Sequence, residues 1–406
     1  MLIGLSATCQ KLMGVAELKR LFKSLATGVF NSTTRPIPGD FVIWDIMTTL
    51  HSLSDQPLTL EAISTMLFSS LMPFVSTTTA RTLIVIADKE SRKPTEKALE
   101  QRSRDSRSMV EPYPDDMVIT PRGLIIKGVE MPQFSATRVM RTRPRRKELL
   151  REITRLFAKD PHICIPNGFV GTVILDMVDG DRPVCVTSPN LPQAVPEWLQ
   201  SVGEFGEGDI GMLLYMRAIR NSPSTPRTAK YSLVTADSDV LPIFFGEFQG
   251  NPTLKGDWVG YRNEWCDMRV LVDKLIKKGW SKLGCLLTAS LGGCDFIAKA
   301  QLTHSINFET VAASVIKTIK KGNNPLGSFE SFDQLLVSVY TSWISAKLKG
   351  KGTKIPNRCD WDWVKDALAS IPGGCKLRPP IDPETRWAAY ETTKWLKSYW
   401  AARESV

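Results

Sequence analysis

Tyr231-Ser232-Leu233-Val234-Thr235-Ala236-Asp237-Ser238-Asp239 joins an apolar, β-rich run to two aspartates with one serine between them. Three other runs have the same form. Phe41-Val42-Ile43-Trp44 stops at Asp45, Leu83-Ile84-Val85-Ile86-Ala87 at Asp88, and Val173-Ile174-Leu175 at Asp176. Uninterrupted apolar runs suit strands covered on both faces, as strands of a parallel sheet are. Helical stretches separate them, at Val15 to Leu25, Leu60 to Leu71, Lys147 to Phe157, Ile210 to Ile219 and Met268 to Lys278. Strands alternating with helices predict an α/β fold: a central, mostly parallel sheet with helices on both faces. Asn221 to Thr228 reads as a surface loop before the fourth strand, and Ser103 to Pro114 as a flexible charged segment. From about residue 300 the pattern turns helical, ending in an aromatic-rich helix from Pro383 to Trp400. The expected organisation is an extension over 1–12, a sheet domain over 13–300 with an inserted basic segment at about 103–200, and a helical region over 301–406.

In open α/β sheets, ligands bind beyond the carboxyl ends of the strands. One aspartate after a strand is ordinary turn chemistry. Runs that all end on aspartate, one of them on an Asp-Ser-Asp pair, would gather acids along one rim. Glu207-Gly208-Asp209 opens a further helix, and Asp295 lies in Leu291-Gly292-Gly293-Cys294-Asp295-Phe296. Two divalent cations need such a cluster of hard oxygen ligands, because magnesium prefers carboxylates and water in octahedral geometry. Without metal the acids repel one another, so stability is a poor reason for their presence. The expected cofactor is therefore a pair of Mg2+ or Mn2+ ions. Asp45, Asp88, Glu207 and Asp209 are expected on one ion, with Asp237, Asp239 and Asp295 on the other.

The 406 residues carry a formal net charge of +10, with 43% hydrophobic and 23% charged residues. That composition belongs to a globular chain, and the basic excess points to a polyanionic partner, nucleic acid before acidic membrane. Arg138, Arg141, Arg143, Arg145, Arg146, Lys147, Arg151 and Arg155 face only Glu148 and Glu152 in the same stretch. Such a stripe would neutralise backbone phosphates without reading sequence; a nuclear localisation signal is the rival for Arg141 to Lys147. The eight cysteines contain no C-x-x-C pair and there are three histidines, so no zinc site is expected. Scattered cysteines read as free thiols of an intracellular protein, the nucleus slightly favoured over the cytoplasm. No membrane segment or signal peptide is expected, and oligomeric state is unreadable.

Five segments resemble, in order, the motifs of the flap endonuclease/XPG-type 5′-nucleases, a family with a PIN-like fold. Met13-Gly14-Val15-Ala16-Glu17-Leu18 is similar to the family's opening M-G-[IV]-x-G-L, and Asp88 matches its V-F-D-G position. Gly206-Glu207-Gly208-Asp209 resembles G-E-[AG]-[ED], Thr235-Ala236-Asp237-Ser238-Asp239-Val240-Leu241 resembles S-x-D-S-D-x-L, and Leu291 to Phe296 resembles L-x-G-C-D-Y. The resemblance implies metal-dependent cleavage of phosphodiesters, DNA favoured and RNA possible, at flaps or 5′ ends. It also implies a lysine and an arginine on the helix after Asp88 that hold the scissile phosphate. Arg102 falls at the arginine spacing, and either Lys93 or Lys97 would be the lysine.

The chain departs from the family after Asp295. Ile297-Ala298-Lys299-Ala300-Gln301-Leu302-Thr303-His304 lacks the glycines of the duplex-gripping I-x-G-[IV]-G turn. Residues 103–201 replace the family's helical arch with Pro-containing, partly strand-like sequence. An RNA-cutting relative and a catalytically silent nucleic-acid-binding scaffold are therefore the alternatives. A carboxylate phosphatase is disfavoured, since no phosphate-accepting D-x-D opens the chain.

Overall fold

The computed structural model describes residues 16–32, 39–53, 55–71, 81–89, 110–160, 162, 169–188, 191, 194–260, 264–294, 302–303, 306–348, 355–356, 359–371, 379–380 and 382–401. The strands are β1 (Phe30–Asn31), β2 (Phe41–Asp45), β3 (Thr82–Ile86), β4 (Val118–Thr120), β5 (Gly123–Ile126), β6 (Val129–Met131), β7 (Thr172–Asp176), β8 (Val184–Thr187), β9 (Lys230–Val234), β10 (Lys255–Val259) and β11 (Trp265–Asp267). Eight of them form one mixed sheet in the order β1-β11-β10-β9-β2-β3-β7-β8. The four apolar runs are its centre, β9-β2-β3-β7, all parallel. Every residue of β2 and β3 is buried, which is why these segments are apolar throughout and do not alternate. β10 continues the parallel set, whereas β1, β8 and β11 pair antiparallel.

Some helices flank the sheet and the others belong to a helical unit. In chain order they are α1 (Ala16–Leu25), α2 (Ile46–Ser52), α3 (Leu60–Leu71), α4 (Ala136–Val139), α5 (Arg143–Lys159), α6 (Gly208–Asn221), α7 (Val240–Gly250), α8 (Met268–Lys277), α9 (Lys282–Gly292), α10 (Phe308–Lys320), α11 (Phe329–Leu348), α12 (Trp361–Ala369) and α13 (Pro383–Tyr399). Ile63, Leu67 and Phe68 of α3 and Leu149, Ile153 and Phe157 of α5 share a core with Val42, Trp44, Leu83, Val85, Val173 and Leu175. Those sheet positions alternate along their strands, so they face one way.

From β2 the chain runs outward through β3 to β7, then returns to the other side of β2 with β9 and β10. The topology switches direction between β2 and β9. Strand ends on either side of such a switch form a crevice where ligands bind.

Residues 103–200 are more than an insertion. They supply β7 and β8 of the main sheet and the long crossover helix α5. The strand-like character of this stretch also appears in a separate antiparallel meander, β4-β5-β6. Its second hairpin turns on Lys127 (φ 50°) and Gly128 (φ 79°), the two left-handed residues that a tight hairpin of this twist requires.

The chain divides into two compact units, Ala26–Lys274 with Trp400–Val406, and Met1–Leu25 with Leu275–Tyr399. The first holds the sheet. The second is helical, and the opening helix α1 belongs to it by contacts with α10, not to the sheet. Within the helical unit the buried Arg386 donates from Nε to Asp333 at 2.6 Å and from Nη1 to the Pro380 carbonyl at 2.8 Å. Trp361 also donates to Asp333 and lies under the Arg386 guanidinium. Tyr390 packs on Phe332 and Trp395 stacks on Tyr399, so these aromatics of the terminal helix serve packing. Among the described residues no helix is long and apolar enough to cross a membrane.

Candidate metal centre

Asp45 ends β2 and starts α2 at once. Its Oδ1 accepts the Met47 amide at 3.0 Å, capping the helix, and its Oδ2 accepts the Thr235 hydroxyl at 3.3 Å from across the switch point. Asp88 lies two residues beyond β3, and its Oδ1 accepts the Gly208 amide at 2.9 Å, so it caps α6 from a different segment. After β9, Asp237 accepts the Asp239 amide at 2.9 Å while its own amide donates to the Thr235 hydroxyl at 3.1 Å. α2, α6 and α7 therefore all begin at the same rim. Their amino-terminal ends carry partial positive charge, which favours the carboxylates gathered there.

Asp45, Asp88, Glu207, Asp209 and Asp237 line one open cleft of about 320 Å³, with Thr48 and His51 of α2. Carboxylate oxygens of Asp209, Asp237 and Asp239 lie within 4.8 Å of one another, close enough to share a cation. Asp45 is 8% exposed, and its pKa is raised from 3.8 to about 8. Burial is the main cause and the Asp88 charge the next; the Met47 amide opposes them, and Asp237 adds a smaller push upward. A hard, oxygen-only donor set gathered this densely fits a divalent cation of the magnesium or calcium kind. Asp209, Asp237 and Asp239 could hold such an ion.

Gly208 has a specific task between the two acids that flank it. A Cβ there would stand 3.2 Å from the Asp45 carboxyl carbon, a tight contact that glycine avoids where the helix start approaches Asp45.

Six acids picked out in the sequence thus meet at one rim: Asp45, Asp88, Glu207, Asp209, Asp237 and Asp239. Asp295, Lys93, Lys97 and Arg102 lie outside the described residues. Asp209, which the sequence reading set with Asp45, Asp88 and Glu207, lines the cleft with them and also lies within ligand reach of Asp237 and Asp239. Glu207 is extended whereas Asp209 already sits in the first helical turn, so the two carboxylates leave the backbone in different directions.

The basic stripe divides. Arg138 and Arg141 donate to the carbonyls of Glu111 and Val110, and Arg145 pairs with Glu148 and the Asp115 carbonyl. Arg146 is buried and donates to the Met140 carbonyl, Arg151 pairs through two 3.1 Å bonds with Asp181, and Arg155 pairs with Glu152. Arg143, Arg146 and Lys147 line a small depression together with Asp88 and Asp179.

Asp176 ends β7 level with Asp45, yet it is not among the acids that line the cleft. Its Oδ1 accepts the Lys89 ammonium at 2.7 Å and its Oδ2 the Tyr215 hydroxyl at 2.8 Å. Burial and the neighbouring Asp176 charge push the Tyr215 phenol far above its usual range, which keeps it a donor. Lys89, Thr48, His51 and Thr235 are functional candidates that the sequence reading passed over. For Thr48 and His51 a signal existed: with Asp45 they recur every third residue, the spacing of one helix face. For Lys89 there was none, since its role depends on a strand 87 residues away.

Compared with family models and with curated proteins, the chain matches none.

Proposed function

We propose that this protein is a divalent-metal-dependent nuclease that hydrolyses nucleic-acid phosphodiesters, in the manner of the flap endonuclease/XPG-type 5′-nucleases and with DNA as the favoured polymer. The observation that carries this reading is the convergence of Asp45, Asp88, Glu207, Asp209 and Asp237 on one cleft, with Asp239 in ligand reach of two of them. These residues come from four separate chain segments, and like charges brought this close repel one another unless a cation lies among them. Asp209, Asp237 and Asp239 would hold one Mg2+ or Mn2+ ion; Asp45, Asp88 and Glu207 would serve a second. Two ions in such a cluster supply an activated water and neutralise charge on the oxygens of an in-line phosphoryl displacement.

The remaining roles belong to the chain. The amino-terminal ends of α2, α6 and α7 favour an anionic phosphate at the rim. Arg143 and Lys147, which line a depression with Asp88, would hold the phosphate next along the strand, and the other arginines of the stripe shape the surface that carries them. His51 and Thr48 line the cleft and offer hydrogen bonds to sugar or phosphate.

The test is incubation of purified protein and its Asp237→Ala variant with end-labelled 5′-flap DNA, single-stranded DNA and single-stranded RNA, with magnesium or chelator. Magnesium-dependent cutting of DNA by the wild type alone is the expected result. Cutting of RNA in preference would move the protein to the RNA-processing branch. Tight, salt-dependent binding with no cleavage of any substrate would overturn the catalytic assignment in favour of a silent scaffold.

A further inference from the structure

We infer that Lys89, Asp176 and Tyr215 form a buried brace that sets the spacing between the segments bearing Asp88 and the Glu207–Asp209 pair, with Asp176 a positioning residue and not a metal ligand. The inference rests on the reading of the acid cleft as a metal site. It starts from the neighbours of the acids. The amide of Lys89, next to Asp88, donates to the carbonyl of Gly206, next to Glu207, at 2.7 Å. One residue on, the Gly208 amide donates to Asp88 Oδ1 at 2.9 Å. Two bonds thus tie the end of β3 to the start of α6, and both pass through residues adjacent to ligands or through a ligand itself.

Two backbone-level bonds at a chain crossing do not fix its orientation. The Lys89 side chain supplies the third point. Its ammonium reaches Asp176 Oδ1 at 2.7 Å and lies 4.3 Å from the centre of the Phe205 ring. Phe205 in turn meets Tyr215 edge-on, with centroids 6.4 Å apart. Tyr215, one turn and a half along α6 from Asp209, returns to Asp176 Oδ2 at 2.8 Å. The loop closes on β7, β3 and α6 without touching the cleft. Both oxygens of Asp176 are thereby used, one by a cation and one by a hydroxyl donor, and the carboxylate is 4% exposed. Its charge is met inside the protein by these two donors. Partners behind the ligands hold them in position and commonly alter metal affinity by roughly 10–100-fold when removed.

The experiment uses the 406-residue chain with the substitutions Lys89→Met, Lys89→Arg, Tyr215→Phe and Asp176→Asn, and Asp237→Ala for reference. Tyr215→Phe removes one donor and keeps the ring; Lys89→Met keeps the apolar stem and removes the charge. Circular dichroism and thermal melting establish that each is folded, calorimetric titration with Mn2+ gives metal affinity, and cleavage of the preferred polymer gives kcat and KM. Lys89→Met and Tyr215→Phe are expected to weaken Mn2+ binding by roughly tenfold and to lower kcat with KM little changed, with partial recovery in Lys89→Arg. Unchanged Mn2+ affinity and kcat in folded variants would overturn the brace and leave a stabilising ion pair only. If Asp176→Asn abolished metal binding as completely as Asp237→Ala while Tyr215→Phe had no effect, Asp176 would be a ligand and the inference would be wrong. Wild-type protein that binds no Mn2+ would instead remove the metal reading itself, and the brace with it.

Discussion

Asp45 and Asp176 close strands on either side of β3, level with each other across Ile86, and are 8% and 4% exposed. Their surroundings are opposite. Asp45 faces Asp88 and Asp237, and its carboxyl is held toward the protonated form. Asp176 has an ammonium on one oxygen and a phenol on the other. Burying a carboxylate is costly unless it is paired and hydrogen-bonded. At Asp176 the protein supplies a cation and a phenol; at Asp45 it supplies a backbone amide and a threonine hydroxyl, with two further carboxylates close by. Six acids gather at that rim, and Asp209, Asp237 and Asp239 among them stand close enough to share a cation. The helical unit offers a second instance of the Asp176 kind, in Asp333 with Arg386 and Trp361.

The sharpest break of this contrast is catalytic. Asp237→Ala is expected to cut the cleavage rate by about 1,000-fold or more, several kcal/mol of transition-state stabilisation, with nucleic-acid binding largely retained. Single-turnover rates beside filter-binding affinities check it; full activity in the variant would sink the site. Stability should then separate the two aspartates. Asp176→Ala strands a mostly buried Lys89 and should cost about 3–5 kcal/mol in chemical denaturation, whereas Asp45→Asn in metal-free protein at neutral pH should raise stability, since it removes a carboxyl that folding holds toward its neutral form. Equal losses at both positions would erase the distinction between the two aspartates.

A third expectation concerns pH. Folding raises the Asp45 pKa from 3.8 to about 8, so between those values the folded protein binds a proton that the unfolded chain releases. Stability of the metal-free protein contributed by this group is complete below about 4, falls as pH rises, and levels off above about 8. Saturating Mn2+ should flatten that slope, and so should Asp45→Asn; melting temperatures across the range measure both. The smallest expected effect is at Gly208. Adding a methyl 3.2 Å from the Asp45 carboxyl in Gly208→Ala should displace one or the other by a few tenths of an ångström and lower activity about tenfold, roughly 1.4 kcal/mol.

Much of this architecture is legible in the linear chain. Four apolar runs ending in aspartate declare four parallel strands because a strand covered on both faces cannot afford polar residues, and the structure places them side by side. Glu207-Gly208-Asp209 and Asp237-Ser238-Asp239 likewise announce themselves by local spacing. The basic stripe was legible as composition and not as function, since most of its arginines are engaged with carbonyls and acids from elsewhere in the chain. A sequence shows that charge is present; which charges face solvent depends on what folds against them.

What the sequence determined by itself was therefore the four central strands, the direction of their acidic ends and the identity of six converging carboxylates. Those properties follow from hydrophobic patterning and from short-range spacing, both local in the chain. The tertiary structure alone decided that Asp209 groups with Asp237 and Asp239, that Arg143 and Lys147 border Asp88, and that Asp176 is withdrawn from the cleft by Lys89 and Tyr215. Each of these joins residues far apart in sequence, where a carboxylate's role is set by the partner that packing delivers and not by its own neighbours.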